Sequence, residues 1–429
     1  MTDTIYALSS GQPPAAIAIV RISGPRAGIA LESLTGRIVG PRHATLVRLA
    51  DPATGEGLDQ ALVLWFPGPA SATGEDLAEL HLHGGRAVVA RVLAALAGIA
   101  GLAPAEPGAF TRRAFENGRI DLAEAEGLSD LLFAETEWQR RSALAMAEGG
   151  LSAQVGAWQA RLLTLSAQAE ALLDFAEEDD VAADEAGTTA LSAAVVSLAA
   201  EMGAMLARPS GERLRDGVRV VLAGPPNAGK STLLNALVGR EAAIVSARPG
   251  TTRDAIEVPL ALGGRPFLFI DTAGLHEGTG DEIEAIGMVR AEAAIQTADI
   301  LLWLDDADST PAPERSVIVH PRADAPGRDI VPMTSDVAVS AATGAGLDAL
   351  VAILLLRADL LLPQFGEIAL NARQRELLAA CVGRLTPAQD LLILAEKLRL
   401  ARGALDRLTG RAGTEDMLDA LFGRFCIGK

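Results

Sequence analysis

Eight consecutive residues, Gly224-Pro225-Pro226-Asn227-Ala228-Gly229-Lys230-Ser231, fit the spacing G-x-x-x-x-G-K-[ST], and Thr232 opens an apolar stretch behind them. Glycines at the two fixed positions let the chain curl until its backbone N–H groups converge, and a helix N-terminus behind the loop adds its dipole, so the pattern cradles phosphates. Lys230 supplies a point charge for the β and γ phosphates, and the Ser231 hydroxyl is a Mg²⁺ ligand by type. Asp271-Thr272-Ala273-Gly274 follows an apolar run. There a strand-end carboxylate reaches the water shell of the metal, and Gly274 turns its N–H to the γ phosphate. Between the two motifs, Gly250-Thr251-Thr252 offers a threonine hydroxyl to complete the shell. Phosphate loop, threonine and D-x-x-G stand in the order of switch segments that a γ phosphate orders and hydrolysis releases. A glycine-rich turn without a nucleotide would need neither the Lys-Ser pair nor the flanking strand and helix.

The base-reading end departs from the pattern. GTPases carry N-K-x-D after the fifth strand, where the Asp accepts two hydrogen bonds from the guanine edge; here that place reads Pro321-Arg322-Ala323-Asp324. Asp324 is kept and Arg322 stands where it can lie over the base, but Pro321 has neither a side-chain amide nor a backbone N–H. Ser340-Ala341-Ala342 is similar to the S-A-K loop whose backbone meets the base oxygen. The stretch between Asp305 and Ser316 is short, which predicts a truncated helix.

These motifs need strands and helices to hold them. Apolar, β-rich runs at 218–223, 267–270, 300–304, 317–319 and 337–339 alternate with helical stretches, the signature of a parallel, doubly wound α/β domain. On either side the period changes. Val155, Trp158, Leu162, Leu165 and Leu172, and again Leu394, Leu398, Leu405 and Leu408, recur at intervals of three, four and seven that place them on one helical face. Runs at 17–22, 61–66 and 77–82, each bounded by Gly, Pro or Asp, read as strands of a smaller mixed α/β domain. The acidic run Glu177-Glu178-Asp179-Asp180 reads as a solvated helix end or linker rather than a metal site.

A chain of 429 residues needs more than one core. Its 49% hydrophobic and 21% charged residues exclude a disordered chain. A net charge of -18 repels phosphate backbones at long range, so any nucleic-acid substrate must be drawn by a local basic patch or by a partner. Cys381 and Cys426 are too few for a disulfide framework, which fits a reducing cytoplasm. The first residues lack a signal peptide's basic flank and apolar core, and no uncharged apolar run reaches about 18 residues, so no membrane partner is expected. His81 and His83 alternate onto one strand face, but no further ligand cluster argues for zinc.

The chain ends in Phe425-Cys426-Ile427-Gly428-Lys429, and upstream it reads Asp3-Thr4-Ile5, Arg21-Ile22-Ser23-Gly24, Thr73-Gly74-Glu75-Asp76, His83-Gly84-Gly85 and Pro107-Gly108-Ala109-Phe110-Thr111-Arg112-Arg113-Ala114-Phe115. In these motifs, in their order and in the inserted phosphate-loop domain, it resembles the MnmE (TrmE) family along essentially its whole length. The resemblance implies a multidomain α/β plus α protein. An N-terminal mixed α/β domain at 1–118 binds folate and forms the homodimer, 119–214 begins a helical domain, 215–370 is an inserted Ras-like P-loop GTPase domain, and 371–429 completes the helical domain. It implies a one-carbon tetrahydrofolate, 5-formyl or 5,10-methylene, held by Arg21, Glu79, Arg119 and Lys429. Cys426 would lie beside it, either as a reacting thiol or simply packed.

The resemblance further implies that potassium replaces an arginine finger. Its ligands would come from Asn227, by its side-chain oxygen, and from the loop Ser246, Ala247, Arg248, Pro249, Gly250 and Thr251, by the backbone carbonyls of Ser246 and Arg248 and with Thr251 among the metal ligands. Thr252 would serve Mg²⁺ with Ser231, and the GTP site would span Asn227, Ala228, Gly229, Lys230, Ser231, Thr232, Asp271, Thr272, Ala273, Gly274, Asp324, Ser340, Ala341 and Ala342. Leu275 stands where many small GTPases carry the water-orienting Gln. Glu284 is the implied substitute, with Lys230 the other catalytic group. The implied activity is GTP hydrolysis that drives modification of the wobble uridine of tRNA, together with an MnmG (GidA)-type flavoprotein in a heterotetramer. A GTP-dependent ribosome-assembly switch shares the phosphate motifs, but does not account for Arg21, Glu79 and the Cys-Ile-Gly-Lys end.

Overall fold

Ala78, Leu80 and Leu82 are buried while Glu79, His81 and His83 between them remain more open, the period-two pattern of a strand with one dry face. That strand lies inside a sheet built from β1 (Thr4–Leu8), β2 (Ile17–Ser23), β3 (Thr45–Ala50), β4 (Gly57–Phe66), β5 (Leu77–His83) and β6 (Leu102–Pro104), in the order β3-β4-β5-β2-β1-β6. Its pairs are antiparallel except for β1 with β6. Helices α1 (Ala27–Thr35) and α2 (Arg86–Ala97) bring Leu31, Leu34, Val89, Val92 and Leu96 into one core with Val20, Ile22, Leu80 and Leu82. On the opposite face Phe110, from α3 (Ala109–Glu116), packs with Ile5 and Ala7. The short α4 (Leu122–Leu132) follows.

The computed structural model describes residues 3–37, 39–176, 185–240, 256–272, 281–305, 307–328, 330–388, 390–411, 415–423 and 425–429. The chain divides into two units, Met1–Ser129 with Asp406–Lys429, and Asp130–Leu405. The second unit contains α5 (Glu137–Ala147), α6 (Gly150–Ala176), α7 (Glu185–Leu206), α8 (Gly211–Asp216) and β7 (Val218–Ala223). It continues with α9 (Lys230–Arg240), β8 (Ile256–Leu262), β9 (Arg265–Asp271), α10 (Asp281–Thr297), β10 (Ile300–Trp303), β11 (Ser316–Pro321) and β12 (Val337–Val339). It ends with α11 (Leu347–Leu361), α12 (Ala372–Arg384) and most of α13 (Leu391–Leu408). The last helix, α14 (Glu415–Phe422), belongs to the first unit, where Phe422 and Phe425 pack with Ala125 and Phe115.

The second sheet runs β12-β11-β10-β7-β9-β8. It is parallel except at its edge, where β8 pairs antiparallel with β9, so the all-parallel expectation holds for five strands and fails for the sixth. Pro259 is tolerated in β8 because an edge strand has one unpaired side. Between β10 and β11 the described residues hold only a 3₁₀ turn, Ala307–Ser309, as the short spacing predicted. Leu191, Val195, Leu198 and Met202 form a buried stripe on α7, which packs with α6 and α12. By length and composition the helix segment 186–216 also passes as a membrane span, but those four side chains are packed inside the unit.

Candidate functional site

β7 ends at Ala223, and the chain turns at Gly224 with φ 142°, where a Cβ would meet Leu304 at 3.2 Å. Asn227 (φ 60°) and Gly229 (φ 97°) are also left-handed, and this curls the loop before α9 starts at Lys230. Lys230 is only 6% exposed, and its ammonium donates to the carbonyls of Gly224 and Pro225, each at 3.0 Å. Burial lowers its pKa, while the negative charge of Asp271 works against that shift. Asp271 is buried at the end of β9, and the Thr272 hydroxyl donates to the Leu222 carbonyl at 2.8 Å, pinning the strand end to β7. A buried cation facing a buried carboxylate, with curled backbone between, suits a polyphosphate on one side and a divalent ion on the other. Ser231 and Thr232 line the same cleft.

That cleft has a volume of about 550 Å³, in the range of small-ligand sites, and it joins the phosphate loop to Pro321, Arg322 and Asp324 and to Ala341 and Ala342. Pairing of β11 with β12 sets Pro321 opposite Val339, and the Ala323 N–H donates to the Val339 carbonyl at 3.0 Å. This brings Ser340 beside Asp324. The Ser340 hydroxyl, the Asp324 backbone N–H and the charge of Arg322 together hold the Asp324 carboxyl below its ordinary range. Gly346 closes the second loop so tightly that a Cβ would meet the Ala338 carbonyl at 1.9 Å. Arg322 takes the left-handed φ of 57°, and its Cγ passes 3.7 Å from where a Cβ on Gly229 would stand, so the base end lies against the phosphate end. Ser246, Ala247, Arg248, Pro249, Gly250, Thr251, Thr252, Ala273, Gly274 and Leu275 lie outside the described residues, as does the acidic run at 177–180. Glu284 lies in α10, and its side chain is outside the described set.

The first unit brings Arg21, Glu79 and the backbone of Lys429 together, and places Arg119 beside Gly74. Arg21 and Glu79 are cross-strand partners, and the guanidinium donates to Glu79 Oε1 through Nε at 3.1 Å and Nη2 at 2.8 Å. His81 Nε2 lies 3.3 Å from Glu79 Oε2, and the Arg21 guanidinium stands 5.7 Å over the ring of Phe110. Phe110 donates its N–H to the Lys429 carbonyl at 3.2 Å, and Pro107 bridges to Ile427, so the C-terminal residues lie along the start of α3. Gly428 permits this approach, since a Cβ there would meet the Leu8 carbonyl at 2.1 Å. Arg119 stands beside Gly74, whose added Cβ would stand 3.2 Å from Arg119 Cγ. Composition and spacing did not single out Phe110 as a ring beneath Arg21, and His81 was weighed only for zinc. Ser23, Thr73, Glu75 and Arg113 form a polar knot, with Ser23 Oγ 2.7 Å from Thr73 Oγ1 and Arg113 Nη1 2.8 Å from Glu75 Oε2. Those motif residues hold loops together. Cys426 is exposed, whereas burial pushes the Cys381 thiol up to about 12.

Residues 4–119 match the family described as GTP-binding protein TrmE N-terminus, and residues 122–426 match the MnmE helical domain. The tRNA modification GTPase MnmE of Novosphingobium aromaticivorans is 57% identical over 440 residues, covering 100% of both chains. That of Rhizorhabdus wittichii is 60% identical, covering 100% of this chain and 97% of its own, and that of Erythrobacter litoralis is 58% identical, covering 100% of both. The chain belongs to the MnmE family of tRNA modification GTPases. Within that MnmE frame, Lys230 lines the cleft and Asp271 is buried at the end of β9, while Pro321-Arg322 departs from N-K and leaves Asp324 in the cleft. The MnmE-type C-terminal end lies against the sheet face that carries Arg21 and Glu79.

Proposed function

We propose that this GTPase works as a cytoplasmic homodimer with an MnmG (GidA)-type flavoprotein, in a heterotetramer. It installs an aminomethyl or carboxymethylaminomethyl group at C5 of the wobble uridine of tRNA, using 5-formyl- or 5,10-methylene-tetrahydrofolate. The observation that carries the folate part is the position of Phe110, whose N–H donates to the Lys429 carbonyl and whose ring lies under Arg21, with Glu79 held on Arg21. The cationic side chains of Arg21, Arg119 and Lys429 suit by type the carboxylate tail and carbonyls of a folate. One carboxylate suits the pterin N–H edge. Cys426, exposed beside Lys429, either touches the one-carbon group or only packs near it.

GTP occupies the cleft with its phosphates on the Gly224–Ser231 loop backbone and Lys230, and its base at Asp324, Ser340, Ala341 and Ala342. Ser231 and Thr252 hold Mg²⁺, with Asp271 behind its water shell. Asn227 would hold K⁺ through its side-chain oxygen, with the backbone carbonyls of Ser246 and Arg248 and with Thr251. Bound, the two ions supply positive charge to the transferring phosphoryl group. Glu284 orients the attacking water, in place of Leu275.

Removing Lys429 tests the folate part. Calorimetry with 5-formyl-tetrahydrofolate should show affinity falling by about 10- to 100-fold, the size of a lost charge-assisted bond, while GTP binding stays unchanged. Unchanged folate affinity overturns that site. Hydrolysis should also run faster in potassium than in sodium, and equal rates would remove the ion from the scheme. The reaction as a whole is checked by nucleoside analysis of the wobble position after reconstitution with the flavoprotein.

A further inference from the structure

An asparagine normally stands where this chain has Pro321, and its side chain ties the base-reading loop to the phosphate loop. Pro321 cannot do so. A different tie stands one residue earlier. His320, only 7% exposed at the end of β11, has Nε2 2.9 Å from the Arg328 carbonyl and Nδ1 3.3 Å from Arg328 Nη2. One ring nitrogen faces an acceptor and the other a donor, so the neutral ring carries its proton on Nε2, donates there, and accepts from the guanidinium at Nδ1. Both bonds run to one residue, eight positions along the chain.

The segment they enclose contains Pro321, Arg322, Ala323 and Asp324. Inside it the Ala325 N–H donates to Arg322 at 2.9 Å, the Arg328 N–H donates to Ala325 at 3.0 Å, and Gly327 turns the chain at φ 81°. Arg322 and Asp324 are exposed, so burial does not hold them, and Arg322 sits at a left-handed φ that a non-glycine residue adopts only when its surroundings enforce it. The Ala323 N–H bond to Val339 holds one side of this segment, and the bonds from His320 to Arg328 close the other. A purely structural role would call for an apolar side chain at this buried strand end; an imidazole bonded at both nitrogens is suited to aligning a loop.

We propose that His320, locked onto Arg328, is a positioning residue for the base: it holds the loop so that Asp324 stays aimed at the guanine edge, the part an asparagine plays elsewhere. The proposal rests on the reading that Asp324 accepts from guanine.

The test uses the full chain and measures KM, kcat and competition among GTP, XTP and ATP for several variants. His320→Leu removes both bonds and should raise the KM for GTP about tenfold, with kcat at saturation within about twofold of the parent, and should narrow the GTP-over-ATP preference. His320→Gln keeps the donor to the Arg328 carbonyl and should stay within about threefold. Adding Pro321→Asn to His320→Leu should restore affinity, because the usual tie is put back. Arg328→Met deletes one bond and leaves the strand intact, covering the case in which His320→Leu does not fold; about threefold weakening is expected, and none counts against the proposal. A KM within twofold of the parent for His320→Leu, or a fall in kcat at unchanged KM, overturns the proposal. Asp324→Asn separates the two failures. If it exchanges GTP for XTP while His320→Leu does nothing, the base reading stands and the brace falls; if it leaves the GTP to XTP ratio unchanged, both fall.

Discussion

The two ends of the nucleotide cleft are built in different ways. At the phosphate end every described group except Asp271 comes from one short run of chain, the left-handed turns at Gly224, Asn227 and Gly229 fix the curl, and Lys230 folds back onto carbonyls of its own loop. At the base end the groups come from two segments, and each is set by a partner elsewhere: Asp324 by Ser340, Ala323 by Val339. Phosphates are read largely by backbone, so the requirement falls on conformation and on one lysine. A base is read by side chains on loops, so the motif can drift as long as some other bond keeps the loop in place. That contrast explains why Gly-Lys-Ser is intact here while the Asn-Lys of N-K-x-D is gone.

The comparison is broken most sharply by Lys230→Met, which keeps the length of the side chain and removes its charge. GTP hydrolysis should fall by a factor on the order of 10² to 10³, because charge-assisted bonds to a phosphate are lost at a side chain that is itself buried. Discrimination between GTP and ATP should survive, since no base contact changes. A fall in that ratio, measured by competition binding, would mean that the two ends are not separately built. Pro321→Asn sharpens the contrast from the other side. It restores a side-chain amide and an N–H at the base end, and GTP affinity should rise about fivefold, the worth of one net hydrogen bond, with kcat unaltered. Affinity unchanged in a titration with a non-hydrolysable GTP analogue would show that an asparagine adds nothing to what the His320–Arg328 tie already supplies.

How much of this was legible beforehand follows the same division. The phosphate loop was readable because adjacent residues determine it, and β7, β9, β10, β11 and β12 were found because buried parallel strands are continuous apolar runs. The edge strand β8 was missed because Pro259 interrupts its apolar run. The partners of Arg21 in the first unit were legible only in part. Cross-strand pairing with Glu79 follows from strand register, but Phe110 reaches Arg21 from a helix about ninety residues later in the chain, and no periodicity signals that. Ser23, Thr73, Glu75 and Arg113 carry much of the family likeness, yet in the structure they bond to one another, so residues that mark a family need not be the ones that do its chemistry. The His320–Arg328 tie could not be read in advance either, because it exists only once the chain turns at Gly327.

The smallest expected effect concerns the carboxylate that reads the base. Asp324 is held below the usual carboxylate range first by the Ser340 hydroxyl, then by its own backbone N–H, with Arg322 contributing charge. All three favour the ionised form, which is the form that accepts from two guanine N–H groups. The sign follows directly: a carboxyl with a depressed pKa stays charged as pH falls through the ordinary carboxylate range, and loses its charge only below it. Ser340→Ala removes the largest of the three causes, so its Asp324 should protonate at a higher pH than the parent's. At about pH 7 both forms are ionised and the GTP-over-ATP ratio should be nearly equal. Stepping down towards about pH 4, the variant should lose the ratio first, and the two curves should separate, since protonation of the terminal phosphate near about pH 6 is common to both proteins and both nucleotides. Asp324 is exposed, so water already does much of what Ser340 does and the separation should be modest. Superimposable pH curves for parent and variant, taken where circular dichroism shows both still folded, would mean that Ser340 only closes its own loop and that the base end depends on the strand pairing alone.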